Sequence, residues 1–167
     1  MNILRKYLKD CVKKSMKNNV RCRVIGRKEE LSADIIESIN NLEEKTKNNN
    51  GIKLTIAINY GGRDEIVRAV QKIADKVKAG EIAPCDIDES MISSNLDTDE
   101  LPDPDLLIRT SGEQRLSNYL PWQLAYTEFY FTDVYWLILI EKSLLRHAKS
   151  IIREKEDMVV LRRSKHC

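Results

Sequence analysis

Apolar positions along the chain follow two alternating periods, and the alternation predicts its elements. Ile3, Leu4, Tyr7, Leu8, Cys11, Val12 and Met16 fall at three- and four-residue spacing, the stripe of an amphipathic helix. From Val20 to Ile25 the period becomes two. Val20, Cys22 and Val24 alternate with Arg21 and Arg23, as in a strand with one solvated face that stops at Gly26. Ser32 is placed to cap a second helix carrying Ile35, Ile36, Ile39 and Leu42, which closes in the turn Asn48-Asn49-Asn50-Gly51. Ile52 to Ile58, broken only by Lys53 and Thr55, reads as a buried strand. Ile66, Val67, Val70, Ile73, Ala74 and Val77 make a third helical stripe ending at Gly80. Leu106-Leu107-Ile108 and Glu128-Phe129-Tyr130-Phe131 read as short strands separated by a loop and a short helix. Asp133 opens a last helix with Val134, Leu137, Ile138, Leu144, Leu145, Ile151 and Ile152. Strands alternating with helices of this length predict the α/β class, a mostly parallel β-sheet flanked by helices on both faces.

Length and composition narrow the class of function. At 167 residues the chain has the size of one domain, so a single domain over residues 1–167 is expected. With 42% hydrophobic and 32% charged residues, its composition is that of a folded protein. The longest apolar run, Val134 to Ile140, is far short of the roughly 20 residues of a membrane-spanning helix, so at most peripheral membrane contact is expected. A Lys-rich amphipathic start without an apolar signal core predicts a cytoplasmic location. Cys11, Cys22, Cys85 and Cys167 form no CxxC pair, and His147 and His166 are the only histidines, so reduced thiols are expected and a zinc site is not. A metal, if used, would be a hard oxygen-liganded cation such as Mg²⁺.

Charge is nearly balanced overall and strongly polarised along the chain. Residues 1–28 hold ten Lys or Arg and one acid, whereas residues 81–105 hold nine acids and no Lys or Arg. The basic segment has Tyr7 as its only aromatic, so it lacks the stacking platform of a single-strand binder, and no nucleic-acid partner is expected. It reads as solvated surface, and the acidic segment as a solvated loop with a short helix.

In open parallel sheets ligands bind beyond the carboxyl ends of strands, and two loops there attract attention. The first, Asn59 to Glu65, puts Gly61 and Gly62 between a strand and a helix, where free N–H groups could meet an anion; a purely geometric role for the glycines competes with that reading. The second runs from Arg109 to Asn118. Its two guanidinium groups and several hydroxyls around Gly112 make a clamp for an oxyanion such as a diphosphate; pairing of the arginines with Glu113 or the acidic stretch is the competing reading. Glu128, opening the next strand, is placed to hold a Mg²⁺ that the diphosphate also ligates, or else to pair with an arginine.

The sixteen residues from Asp103 to Asn118 and the following Leu120-Pro-Trp-Gln-Leu-Ala-Tyr-Thr-Glu-Phe-Tyr-Phe131 resemble the C-terminal signature of the cis-prenyltransferases, the undecaprenyl diphosphate synthase family. Asn59-Tyr-Gly-Gly-Arg-Asp-Glu65 and Val20-Arg-Cys-Arg-Val-Ile-Gly26 resemble earlier motifs of that family, and the similarity runs in order from about residue 1 to residue 155. The resemblance implies a parallel-sheet homodimer that uses Mg²⁺ to condense isopentenyl diphosphate with an allylic prenyl diphosphate, making a polyprenyl diphosphate. It implies that Arg109, Arg115 and Ser117 bind the diphosphate of isopentenyl diphosphate, that Leu116 lends a backbone contact, and that Glu128 is a metal ligand. No Asp-Gly-Asn sequence occurs, so the family's catalytic aspartate has no counterpart. The resemblance therefore implies an N-terminally shortened chain, about the C-terminal two-thirds of the family fold, with an isopentenyl half-site and no allylic half-site. Two readings follow from it. One is a cis-prenyltransferase enzyme by descent, weak or dead alone; the other is a non-catalytic partner or binding subunit of a complete synthase.

Overall fold

The computed structural model describes residues 2–136 and divides into two compact units. Among the described residues the first comprises 2–102 with Asn118–Trp122, and the second Asp103–Ser117 with 123–136.

In the first unit, α1 (Asn2–Lys17) leads to β1 (Arg21–Ile25), α2 (Ala33–Thr46), β2 (Lys53–Ala57), α3 (Gly62–Lys78) and the short α4 (Glu89–Ser93). Strands β1 and β2 pair in parallel, Arg21 opposite Lys53 and Ile25 opposite Ala57. The period-two pattern of β1 has its structural counterpart. Cys22 and Val24 face a core built with Leu8 and Cys11 of α1 and Ile35, Ile39 and Leu42 of α2. Full burial of each such aliphatic side chain stabilises by about 1.5–3 kcal/mol, which is what holds these helices on the strands. On the other side of β1, Arg21 and Arg23 do not stand in plain solvent. Arg23 pairs with Asp99 at 2.8 Å and Arg21 with Glu100 at 3.4 Å, so the basic and acidic segments of the sequence neutralise each other within the chain.

The outer edge of β1 is closed in an unusual way. Cys22 N–H donates to Thr46 Oγ1 at 3.1 Å and Val24 N–H to Glu43 Oε1 at 2.7 Å, so side chains of α2 take the backbone donors that a further strand would have taken. Ser32 stands at the start of α2 as expected, but its carbonyl rather than its hydroxyl serves the helix, accepting from Ile35 N–H at 2.9 Å.

Three expectations need correction. Strand β2 is not buried, because Ile52 is 74% and Leu54 37% exposed. Ile56 and Ile58 lie against the core, but the strand has only β1 beside it among the described residues. In α3 the buried face is Gly62, Glu65, Ala69 and Ile73, while Val67 and Val70 of the expected stripe are half exposed. The chain at Asp133–Tyr135 is not helical; the remainder of the expected last helix, with His147, lies outside the described residues.

In the second unit, β3 (Leu106–Arg109) and β4 (Glu128–Phe131) pair in parallel, with Leu106 opposite Glu128 and Arg109 opposite Phe131. The α/β class with parallel strands stands, and among the described residues β1 pairs with β2 and β3 with β4. Cys11 and Cys22 are buried free thiols and Cys85 is exposed, in keeping with reduced cysteines; Cys167 lies outside the described residues.

Candidate functional site

Strand β3 delivers Arg109 at its carboxyl end, and the chain then turns through Ser111 and Gly112, both left-handed with φ of 67° and 70°. Three backbone bonds pin this turn to the chain after β4. Thr132 N–H donates to the Arg109 carbonyl at 3.0 Å, Gly112 N–H to that of Thr132 at 3.0 Å, and Ser111 N–H to that of Val134 at 3.1 Å. This explains why the helix expected at Asp133 does not start there: the carbonyls of Thr132 and Val134 hold the loop. The turn is thus fixed although Ser111 and Gly112 are exposed. Arg109 is half-buried and its guanidinium has no hydrogen-bond or ion-pair partner among the described residues.

Further along the loop Arg115 and Ser117 are exposed and Leu116 is half-buried. Arg115 forms an ion pair with Glu113, the pairing that competed with the anion clamp. Glu128 sits at the amino end of β4, opposite Leu106, three residue steps from the level of Arg109, or about 10 Å along the strand. The structure therefore brings Arg109, Arg115, Leu116 and Ser117 onto one loop and sets Glu128 at the far end of the strand pair.

The glycine loop of the first unit has a different fate. Gly62 N–H donates to the Asn118 carbonyl at 2.8 Å and Arg63 N–H to Asn118 Oδ1 at 2.9 Å. A Cβ at position 62 would overlap Cδ and Cγ of Pro121. Two of the N–H groups that could have met an anion, those of Gly62 and Arg63, are taken by Asn118, and Gly62 serves close packing. Around this helix start, Tyr60 hydroxyl donates to the fully buried Glu65 carboxylate at 2.6 Å, and Asp97 N–H donates to the same carboxylate at 2.7 Å. Burial and the bond to Glu65 push the Tyr60 phenol well above its usual range. Arg27 and Arg68 hold the Asp64 carboxyl down at about 2. Burial pushes Asp97 up, but the Arg68 fork, at 2.8 and 2.9 Å, outweighs it and the net direction is down.

Glu65 and Asn118 end the two loops the sequence singles out and Asp97 lies in its acidic segment, but their structural roles here were not expected. One signal was available: Gly62, Glu65, Ala69 and Ile73 recur at helical spacing, so an acid shares a face with small and apolar residues.

The family model for undecaprenyl diphosphate synthase matches residues 1–156. The chain belongs to that family. It is 51% identical over 140 residues to an isoprenyl transferase of Streptococcus thermophilus, a match covering 81% of this chain and 56% of the relative. It is 48% identical over 136 residues to an isoprenyl transferase of Brucella suis, covering 81% and 54%. The crystal structure of lavandulyl diphosphate synthase from Lavandula x intermedia, in complex with dimethylallyl diphosphate, superposes with a TM-score of 0.86 at 39% identity, covering 90% of this chain and 66% of that one. The chain thus spans little more than half the length of the curated relatives it matches.

Proposed function

We propose that this chain carries the isopentenyl-diphosphate site of a cis-type prenyl diphosphate synthase, which condenses isopentenyl diphosphate with an allylic prenyl diphosphate. The observation that carries the reading is Arg109, half-buried at a strand's carboxyl end, without a partner among the described residues and heading a turn pinned by three backbone bonds. A charged guanidinium held in that way is arranged for an anion with several oxygens. Arg115 exchanges Glu113 for the diphosphate, and the Ser117 hydroxyl and Leu116 N–H donate to its remaining oxygens. Gripping the substrate by its charged end leaves the isopentenyl end free to meet the allylic carbon, and positioning of this kind is where a binding loop contributes to rate.

Glu128 is one hard carboxylate, and no group of three or more metal-capable side chains occurs among the described residues. That donor set suits Mg²⁺, which keeps waters and substrate phosphate oxygens and takes one or two carboxylates from the protein. When bound at Glu128, about 10 Å along the strand from the level of Arg109, the ion would supply charge neutralisation to those diphosphate oxygens that reach it. A cytoplasmic homodimer, or a pairing with a complete synthase, belongs to the same reading.

Calorimetric titration of the full chain with isopentenyl diphosphate and Mg²⁺ tests the proposal. Arg109→Ala is expected to weaken binding by roughly tenfold to a hundredfold, the loss of charge-assisted bonds. Arg115→Ala should weaken it less, because that side chain must give up its pair with Glu113 to engage the diphosphate. Full binding by Arg109→Ala, or none by the unaltered chain, would overturn the assignment.

A further inference from the structure

The turn from α2 into β2 contains Asn50-Gly51, and packing makes the glycine obligatory. A Cβ on residue 51 would overlap the carbonyl oxygen of Asn19, which instead accepts Gly51 N–H at 3.1 Å. The two side chains beside this contact close a reciprocal clasp. Asn19 Nδ2 donates to Asn50 Oδ1 at 2.7 Å, and Asn50 N–H donates to Asn19 Oδ1 at 3.2 Å. Asn19 is left-handed, with φ of 54°, and both asparagines are exposed to water.

An asparagine followed by glycine carries a chemical liability, since no side chain shields the next backbone nitrogen. That nitrogen attacks Asn50 Cγ and loses its proton to solvent base, while the amide nitrogen departs as ammonia and a five-membered succinimide closes. Water then opens the ring at either carbonyl, giving aspartate or isoaspartate. In the folded turn both reacting groups are tied to Asn19: the nucleophile through Gly51 N–H and the electrophile through Asn50 Oδ1.

We propose that Asn50 is a spontaneous deamidation site and that the Asn19 clasp is the lock that keeps it silent while the turn is folded. The isoaspartate product reroutes the backbone through a side-chain carbon. It does so beside the contact in which Arg21 N–H meets the Ile52 carbonyl at 2.9 Å, where β1 and β2 start together. Conversion therefore marks chains whose turn has opened, and it hinders reclosing.

Mass spectrometry of the Asn50-containing peptide, after timed incubation of the full chain at mildly alkaline pH in native buffer and in urea, tests this. Conversion should be slow in native buffer and fast in urea. Asn19→Gly keeps the left-handed backbone and its carbonyl but removes the amide. It should raise the native rate on the order of tenfold, as loss of two neutral hydrogen bonds implies, and leave the urea rate unchanged. Equal native and urea rates in the unaltered chain, or no acceleration by Asn19→Gly, would overturn the lock. Gly62→Ala, a destabilising change elsewhere, separates the lock from general loosening: it should leave the native Asn50 rate unchanged, and acceleration equal to that of Asn19→Gly would also overturn the proposal.

Discussion

Two loops of this chain start from the same recipe, a parallel strand running into a glycine turn among arginines, and end in opposite electrostatic states. In the loop at Asn59–Glu65 the chain engages its own groups: Asn118 takes the Gly62 and Arg63 N–H donors of α3, and Arg27 and Arg68 are bound to Asp64 and Asp97. In the loop after β3, the turn is tied only by backbone, and Arg109 has no partner among the described residues. Glycine next to a strand end does not distinguish the two cases. What distinguishes them is whether charge and donors remain after the fold has taken what it needs, which makes the second loop the candidate for a ligand.

The contrast can be broken most sharply at Glu65. Glu65→Ala removes the buried acceptor of Tyr60 hydroxyl and Asp97 N–H, leaving both donors unsatisfied, so a loss of roughly 3 kcal/mol or more is expected, read from chemical denaturation. An exposed loop built for a ligand would tolerate such a change, and near-neutral behaviour would put the first loop in that class. Next in size, Gly62→Ala drives a methyl into Pro121 and should destabilise by about 1–3 kcal/mol, seen as a lower melting temperature. The smallest effect is acid sensitivity. Asp64 titrates at about 2 in the folded chain, below its ordinary value of 3.8. Its contribution to stability is therefore present above about pH 4 and lost as pH falls from there toward 2. Because the carboxylate is one-third exposed, the contribution is modest. Asp64→Asn should flatten that limb of a melting-temperature profile, and an unchanged acid limb would show that the Arg27 and Arg68 pairs contribute nothing.

Local patterns carried much of this fold. The period-two run of Val20 to Val24 and the stripe of Ile35, Ile39 and Leu42 read correctly because one core faces all of them. The place of the Arg109 to Asn118 loop at a strand end was legible from the apolar run before it. What escaped was set by segments distant in sequence. Val67 and Val70 read as core, yet the buried side of α3 is the one that meets Asp97 and Asn118 through Glu65 and Gly62. Ile52 and Leu54 read as buried because a run of apolar residues does not state how many strands stand beside it. Val134 reads as a helix residue, but its carbonyl is engaged by Ser111 N–H, a tie that no local propensity encodes.

The side chains of Thr46 and Glu43 that occupy the backbone donors of β1 give the first unit a direction. An open strand edge is a template for unwanted association, and here α2 has blunted one of the two. Any additional strand, whether from the same polypeptide or another, is barred from the β1 side and must register against β2. Repeated edge-to-edge stacking needs two adhesive borders, and among the described residues α2 has taken the donors of one.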